Sequence, residues 1–432
     1  DKELFHEFCR FVIGNPLRQQ PAASGKPAAE QGYRTTGIQD LALIYQGGSH
    51  RLDWTVDEFR PYVVHRFADG SKDWLFDGFL FLEFKDGSGR NYTVGYEKLN
   101  ARRTEWEWLL DRIFEQGKSL SALDRCIGQE IKELGKPAFR HQIVLGLPEA
   151  IRGQKDWGKL DGREMDFSKE EDQIAATKWY IGELVERFKA AKYKHLELSG
   201  FYWVAEDTHH CAELTIPLSE YIHSEGKLFY WIPYWQAKGH EEWKRLGFDV
   251  AYQQPNHFFN HSIPDSRLDE ACATARRHGM AMEFEFDEKA TAAIPNSSHD
   301  RMAAYINHFE KNDVFNSSAV AYYCGNRGVL TLDESDNPKD KALMDRLARI
   351  IQARRYLKYG IPMKNKTRVV AHRGFWHTDG SAQNSIASLL KADQLGVYGV
   401  EFDVWMASDG VPVLNHDGWH DGYEVQSTPS TV

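Results

Sequence analysis

The chain has 432 residues, 27% of them charged, with a formal net charge of -10. That field repels a phosphate backbone, which excludes nucleic acid as a natural partner, and no apolar run reaches the roughly 18 residues needed to span a bilayer. Five scattered cysteines without CxxC spacing argue against a disulfide framework or a zinc site.

In chain order, Asp1 to Ile13 reads as a stray helix, and Gly14 to Gly37, punctuated by Pro and Gly, as a linker or surface loop. The first residue is Asp rather than Met, which a removed signal peptide or a fragmentary reading frame would each explain. The expected location is periplasmic or secreted. From Gln39 to Lys358 short apolar runs alternate with amphipathic stretches eight times. The strand candidates are Leu41 to Gln46, Gly78 to Phe84, His141 to Leu147, His195 to Glu206, Lys227 to Trp235, Phe248 to Gln254, Met280 to Asp287 and Ser318 to Cys324. Each is rich in β-branched, aromatic or leucine residues, as parallel strands buried on both faces are.

Helices are expected over 106–134, 168–191, 219–224, 265–278, 300–311 and 339–358. Between Ser168 and Ala191 the residues Ile174, Thr177, Ile181, Leu184, Val185 and Phe188 recur at three- and four-residue steps, and Ser168 with Glu171 has the spacing of a capping box. Eight βα units predict an α/β fold, a (β/α)8 TIM barrel over residues 37–358, preceded by an N-terminal segment (1–36) and followed by a linker (359–366). A barrel takes about 250 residues and tolerates insertions to above about 400. His209-His210-Cys211 reads as a surface loop, because three adjacent side chains do not converge on one ion.

Barrel chemistry sits at the carboxyl ends of the strands. Glu206 closes the fourth run beside Trp203, where partial burial would hold its proton nearer neutrality and suit it as a general acid. On the seventh run period-two alternation puts Glu283, Glu285 and Asp287 on one face and Met282, Phe284 and Phe286 on the other. Glu285, nearer the rim, is the preferred nucleophile and Glu283 the next candidate. Two carboxylates flanking a bond are what glycoside hydrolysis needs, and Glu206 and Glu285 are expected to open into one cleft. Flat rings and amides for a sugar are offered by Tyr202, Trp203, Tyr234, Trp235, Gln254 and Asn256. No cofactor is expected here. A non-catalytic glycan-binding barrel is the alternative.

An acid/base at strand four with a nucleophile at strand seven resembles the clan A glycoside hydrolases in architecture, although that clan has Asn before its strand-four Glu and Ala205 stands here. Stretches such as 40–45, 74–80 and 247–256 resemble the bacterial family called domain of unknown function 4855, over roughly 37–358. The family name implies no activity.

Beyond the linker a denser motif set begins. Arg368-Val369-Val370-Ala371 reads as a strand ending in His372-Arg373-Gly374, Ser381 to Leu395 as a helix, Gly399 to Val404 as a strand, and Val411 to Asn415 leads into His416-Asp417. Glu401 and Asp403, two apart on one strand, face one side, as ligands to a hard divalent cation must. This order resembles the start of the glycerophosphodiester phosphodiesterases, and implies a partial second barrel, a βαβ fragment, over 367–432. The resemblance implies calcium or magnesium on Glu401 and Asp403, phosphate neutralised by Arg373, and His372 and His416 as general base and acid, with a glycerophosphodiester as substrate of the complete domain. Gln383-Asn384 departs from the family's Glu-Asn. Residues 368–432 are about a quarter of a barrel, so a fragment cut from a longer protein is expected, inactive by itself. In a third reading the phosphodiesterase is the main activity of that longer protein.

Overall fold

A computed structural model describes residues 36–361, 369–376 and 380–431. The expected helix over 1–13, most of the first loop, Cys9 and much of the second linker lie outside them. The chain divides into two compact units, one of them Pro27–Ile361, the other taking in Pro362–Val432.

The first unit is a closed barrel of eight parallel strands, as the eightfold alternation predicts: β1 (Asp40–Tyr45), β2 (Gly78–Leu82), β3 (His141–Leu147), β4 (Leu196–Trp203), β5 (Leu228–Trp231), β6 (Val250–Gln253), β7 (Ala281–Glu285) and β8 (Val320–Tyr323). Neighbours pair in chain order, and β8 closes on β1 with Asp40 opposite Val320. The strands are apolar on both faces because both are buried. Leu41, Leu43, Leu80, Tyr202, Tyr230, Tyr252 and Ala321 fill the interior, and Ala42, Ile44, Phe79, Phe201, Met282 and Phe284 pack against the helices.

One irregularity matters for the site. The register of β4 on β3 shifts between Leu198 and Gly200, a bulge that reverses which residues face inward. Unbroken alternation from Leu198, which faces the helices, would turn Trp203 inward; after the bulge Tyr202 faces in and Trp203 packs outward. Gly200 makes this possible, because a Cβ there would lie 2.0 Å from the carbonyl oxygen of Leu228.

The helices of eight residues or more in this unit are α1 (Val56–Val63), α2 (Arg103–Ile113), α3 (Ser119–Leu134), α4 (Glu170–Ala191), α5 (Ala212–Ser224), α6 (Ser266–His278), α7 (His299–Lys311) and α8 (Pro338–Tyr359). The single helix expected over 106–134 is two, broken at Gly117 with its φ of +83°. α5 begins seven residues earlier than expected and carries Pro217 inside it. The expected Ser168–Glu171 capping box does not form. Ser168 instead donates its N–H and hydroxyl to Asp166 Oδ1 at 3.0 and 2.6 Å, and Asp172 accepts the Asp166 N–H at 2.9 Å. At the amino-terminal face of the barrel α8 is tied down by Arg354 to Asp40 at 3.3 Å, Arg355 to Asp73 at 3.1 Å and Lys358 to Asp77 at 3.4 Å.

In the second unit β9 (Val370–His372) pairs in parallel with β10 (Gly399–Glu401), with α9 (Ile386–Gln394) between them, and Val404–Met406 pairs antiparallel with Pro412–Leu414. α9 starts later than expected because Ser385 caps it, accepting the Ser388 N–H at 3.1 Å. Ala392, Ala407 and Val425 are the buried hydrophobic residues described there, while Val370, Ile386, Tyr398 and Trp419 are exposed. A βαβ unit of this size has too little interior to cover its own apolar faces. No described helix is long and apolar enough to cross a membrane.

Candidate functional site

At the carboxyl ends of the strands a cavity of about 400 Å³ is lined by Glu206, Glu283 and Glu285 together. β7 delivers two of them by simple alternation, with Met282, Phe284 and Phe286 turned to the helices. Asp287, on the same face, leaves the cavity by capping a short 3-10 turn, where it accepts the Lys289 N–H. Glu206 stands three residues beyond the end of β4, half-buried.

Two amides beyond β6 connect the acids of β4 and β7. Gln254 Nε2 donates to Glu206 Oε1 at 2.7 Å and to the Ile232 carbonyl at 3.0 Å. Asn256 Nδ2 donates to Gln254 Oε1 at 2.9 Å and reaches Glu285 Oε1 at 3.4 Å, while its own oxygen accepts the Trp235 N–H at 2.6 Å. The Ile232 carbonyl and the Trp235 N–H fix which way each amide points. Asn256 takes a φ of +49°, which Asn tolerates better than most residues. Glu285 Oε2 also accepts the His257 N–H at 3.1 Å and the hydroxyl of Tyr305.

These contacts sort the three acids. Burial raises all three carboxyls above their ordinary range. For Glu206 the Gln254 hydrogen bond opposes burial and Asp207 adds to it. Glu285 is pushed up to about 7, burial being opposed by Tyr305 and the His257 N–H. Glu283 goes well above the ordinary value, by burial and then by the charges of Glu285 and Glu206. No side chain among the described residues donates to Glu283. Ionisation is therefore easier at Glu285, which has donors, than at Glu283, to which no described side chain donates.

Of the expected sugar-binding residues, Tyr202, Gln254 and Asn256 line this cavity, and Tyr234 lines a neighbouring one. Trp203 does not: it lies outside the barrel wall, edge-on to Phe229, so burial of Glu206 does not come from its indole facing the cavity. Trp235 also turns away, packing on the outer core under the guanidinium of Arg267. Aromatic lining comes instead from residues the sequence reading passed over. Tyr96 stacks on Phe84 at 4.6 Å, Phe84 meets Tyr45, Tyr45 meets Tyr323, and Tyr323 meets Phe259, each at 5.3 to 5.6 Å between ring centres. Arg51 lies 4.5 Å over the Tyr45 ring and is held by Glu83 at 2.9 and 3.0 Å.

In the second unit His372 Nε2 lies 3.9 Å from Glu401, and the Arg373 N–H donates to Glu401 Oε2 at 3.0 Å. Asp403 accepts Asn384 Nδ2 at 3.0 Å and faces the Arg373 guanidinium at 3.5 Å. Gln383, the departure from the family pattern, accepts from Arg373 at 2.9 Å. His416 pairs with Asp417 at 2.8 Å. Among the described residues no three His, Cys, Asp or Glu side chains are placed to hold a metal ion, so the carboxylates present do not by themselves fit a divalent cation. His209 and His210 are exposed, and Cys126, Cys211, Cys272 and Cys324 are buried free thiols.

The model of the family described as domain of unknown function (DUF4855) matches residues 40–349, and the chain belongs to that family. The glycerophosphoryl diester phosphodiesterase family matches residues 372–426. Glycerophosphodiester phosphodiesterase 1 of Rattus norvegicus is 39% identical over 67 residues, 16% of this chain and 19% of that protein. The chain thus spans 16 to 19% of the length of the curated relatives it matches. Among solved structures, a glycerophosphodiester phosphodiesterase from Parabacteroides distasonis is 49% identical, covering 16% of this chain and 29% of that one, with a TM-score of 0.16. A GH18 chitinase from Pseudoalteromonas aurantia is 11% identical, covering 71% and 99%, with a TM-score of 0.37. Likeness at that level says nothing of chemistry.

Proposed function

We propose that the barrel is a retaining glycoside hydrolase, with Glu206 as acid/base and Glu285 as nucleophile. The observation that carries this reading is the amide bridge: Gln254 and Asn256 join carboxylates from β4 and β7 in one cavity that Tyr45, Phe84, Tyr96, Tyr202, Phe259 and Tyr323 also line. A carboxylate oxygen of Glu285 attacks the anomeric carbon. The bond to the leaving oxygen breaks with its electron pair going to that oxygen, which takes the proton of Glu206. Water then gives a proton to Glu206 and its oxygen to the anomeric carbon, and Glu285 departs with its electron pair. Glu283, neutral beside the nucleophile, lowers the cost of a second negative charge. The step uses no cofactor.

The test is a panel of 4-nitrophenyl glycosides with wild type, Glu206→Gln and Glu285→Gly, the last with added azide. Turnover that falls by about a thousandfold or more in both variants, with a glycosyl azide formed by Glu285→Gly, is expected. Binding of glycans without turnover by wild type would leave a non-catalytic glycan-binding barrel.

For residues 370–431 the proposal is the opening strands of a glycerophosphodiester phosphodiesterase, supported by the family match and by the pairing of His372 with Glu401. In a longer protein this domain would hydrolyse a glycerophosphodiester with calcium or magnesium.

A further inference from the structure

Glu206 belongs to two cavities. Beside the first lies a second of about 300 Å³, and Tyr96 and Glu206 line both. Glu283 and Glu285 line the first alone, while Glu149, Asp207 and Tyr234 line the second alone. A general acid that cuts a glycosidic bond stands between the sugar that the nucleophile attacks and the group that leaves with the proton. The second cavity is therefore where a leaving group would lie if the nucleophile works from the first.

The lining tells what such a group must be. Glu149, two residues past the end of β3, is buried, and its Oε2 accepts the Thr93 hydroxyl at 2.7 Å and the Val94 N–H at 3.2 Å. Its Oε1 accepts from no described residue. On a buried side chain that lines the cavity, this oxygen is placed to accept a hydroxyl from a bound group. Asp207 is held on the opposite account: Oδ1 accepts the His209 N–H at 2.9 Å and Oδ2 the Tyr234 hydroxyl at 3.0 Å. That leaves Tyr234, half-exposed, anchored through its hydroxyl on Asp207 in the cavity wall. Flat apolar leaving groups would leave the Glu149 oxygen unmet, whereas a pyranose offers hydroxyls at its edge and an apolar face for Tyr234 or Tyr96.

Resting on the hydrolase reading, we propose that this second cavity is the leaving-group subsite and takes a sugar residue, so that the substrate is an oligosaccharide or glycan. Glu149 is a specificity residue there, accepting a hydrogen bond from a hydroxyl of the departing sugar.

The experiment compares two substrates with the same non-reducing sugar, the 4-nitrophenyl glycoside that wild type turns over best and the matching disaccharide. In Glu149→Gln, which keeps the shape and an acceptor for Thr93, kcat/KM for the disaccharide is expected to fall about tenfold further than for the aryl glycoside, the worth of one hydrogen bond to a charged group. The ratio is read within one preparation, so a misfolded fraction cancels. Tyr234→Phe, at an exposed ring, is the second variant and is expected to shift the ratio the same way. An unchanged ratio in both variants, with wild type active, would overturn the subsite alone. A wild type inert toward both substrate classes would overturn the hydrolase reading and this subsite with it.

Discussion

Gln254 Nε2 stands 2.7 Å from Oε1 of Glu206 and has its other hydrogen on the Ile232 carbonyl, 3.0 Å away. Such a donor favours the charged form of the carboxyl, and it opposes the burial that raises Glu206. Gln254→Leu removes it. The basic limb of kcat/KM, set by loss of the Glu206 proton, is expected to move upward by about one pH unit, since a hydrogen bond to a charged group is worth roughly 1.5–3 kcal/mol. A limb that stays in place, measured with an aryl glycoside from pH 5 to 10, would show that Glu206 is not the acid.

Tyr305 donates its hydroxyl to Glu285, whose carboxyl burial pushes up to about 7 against this donor. Tyr305→Phe leaves Glu285 with the His257 N–H and the longer Asn256 contact. The phenyl ring itself packs on Phe284 and Phe309, so the variant keeps its fold. Losing a donor raises the carboxyl further, and a nucleophile must be ionised. Activity is therefore expected to fall more at pH 6 than at pH 8, by about tenfold in kcat/KM at the lower pH. An equal loss at both would make the tyrosine a packing residue only.

Much of this was legible in the chain because barrel strands are short apolar runs buried on both faces, and β7 shows its two acids through plain alternation. Trp203 was misplaced for a definable reason: one extra residue at the β4 bulge turns it from the cavity to the helices. α1 escaped notice because Val56–Val63 mixes Asp57, Glu58 and Arg60 with an internal Pro61 and shows no long stripe. Tyr45, Tyr96, Tyr323 and Arg51 come from strand ends and loops far apart in sequence. Their convergence is a property of barrel closure, and only the strand-end position of Tyr45 and Tyr323 carried a local signal.

Glu283 sits buried with no side-chain donor among the described residues, its carboxyl held well above the ordinary value by burial and by Glu285 and Glu206. From about pH 4.5, where the unfolded chain loses this proton, up to the higher folded value, the folded state holds more protons than the unfolded state. Stability therefore declines as pH rises through that window. Glu283→Gln removes the titration. It is expected to raise stability by on the order of 1–2 kcal/mol at pH 7.5 and by less at pH 4.5, read from urea denaturation at both. A variant less stable than wild type at pH 7.5 would mean that Glu283 has a donor in solution.

Arg373 engages both carboxylates that would hold a cation. Its N–H holds Glu401 at 3.0 Å and its guanidinium faces Asp403 at 3.5 Å, while Asn384 takes the same Asp403 oxygen. A calcium ion needs six to eight oxygens, and two carboxylates already serving a guanidinium and an amide supply few of them. Calcium or magnesium titrated into this chain is expected to show no site in residues 370–431 tighter than about millimolar, the weak end of protein calcium sites, and glycerophosphodiesters are expected to remain intact. Glu401→Gln should change neither result. Turnover of a glycerophosphodiester by this chain that is lost in His372→Ala, or calcium binding that is lost in Glu401→Gln, would show that the carboxylates rearrange around Arg373 to make the site.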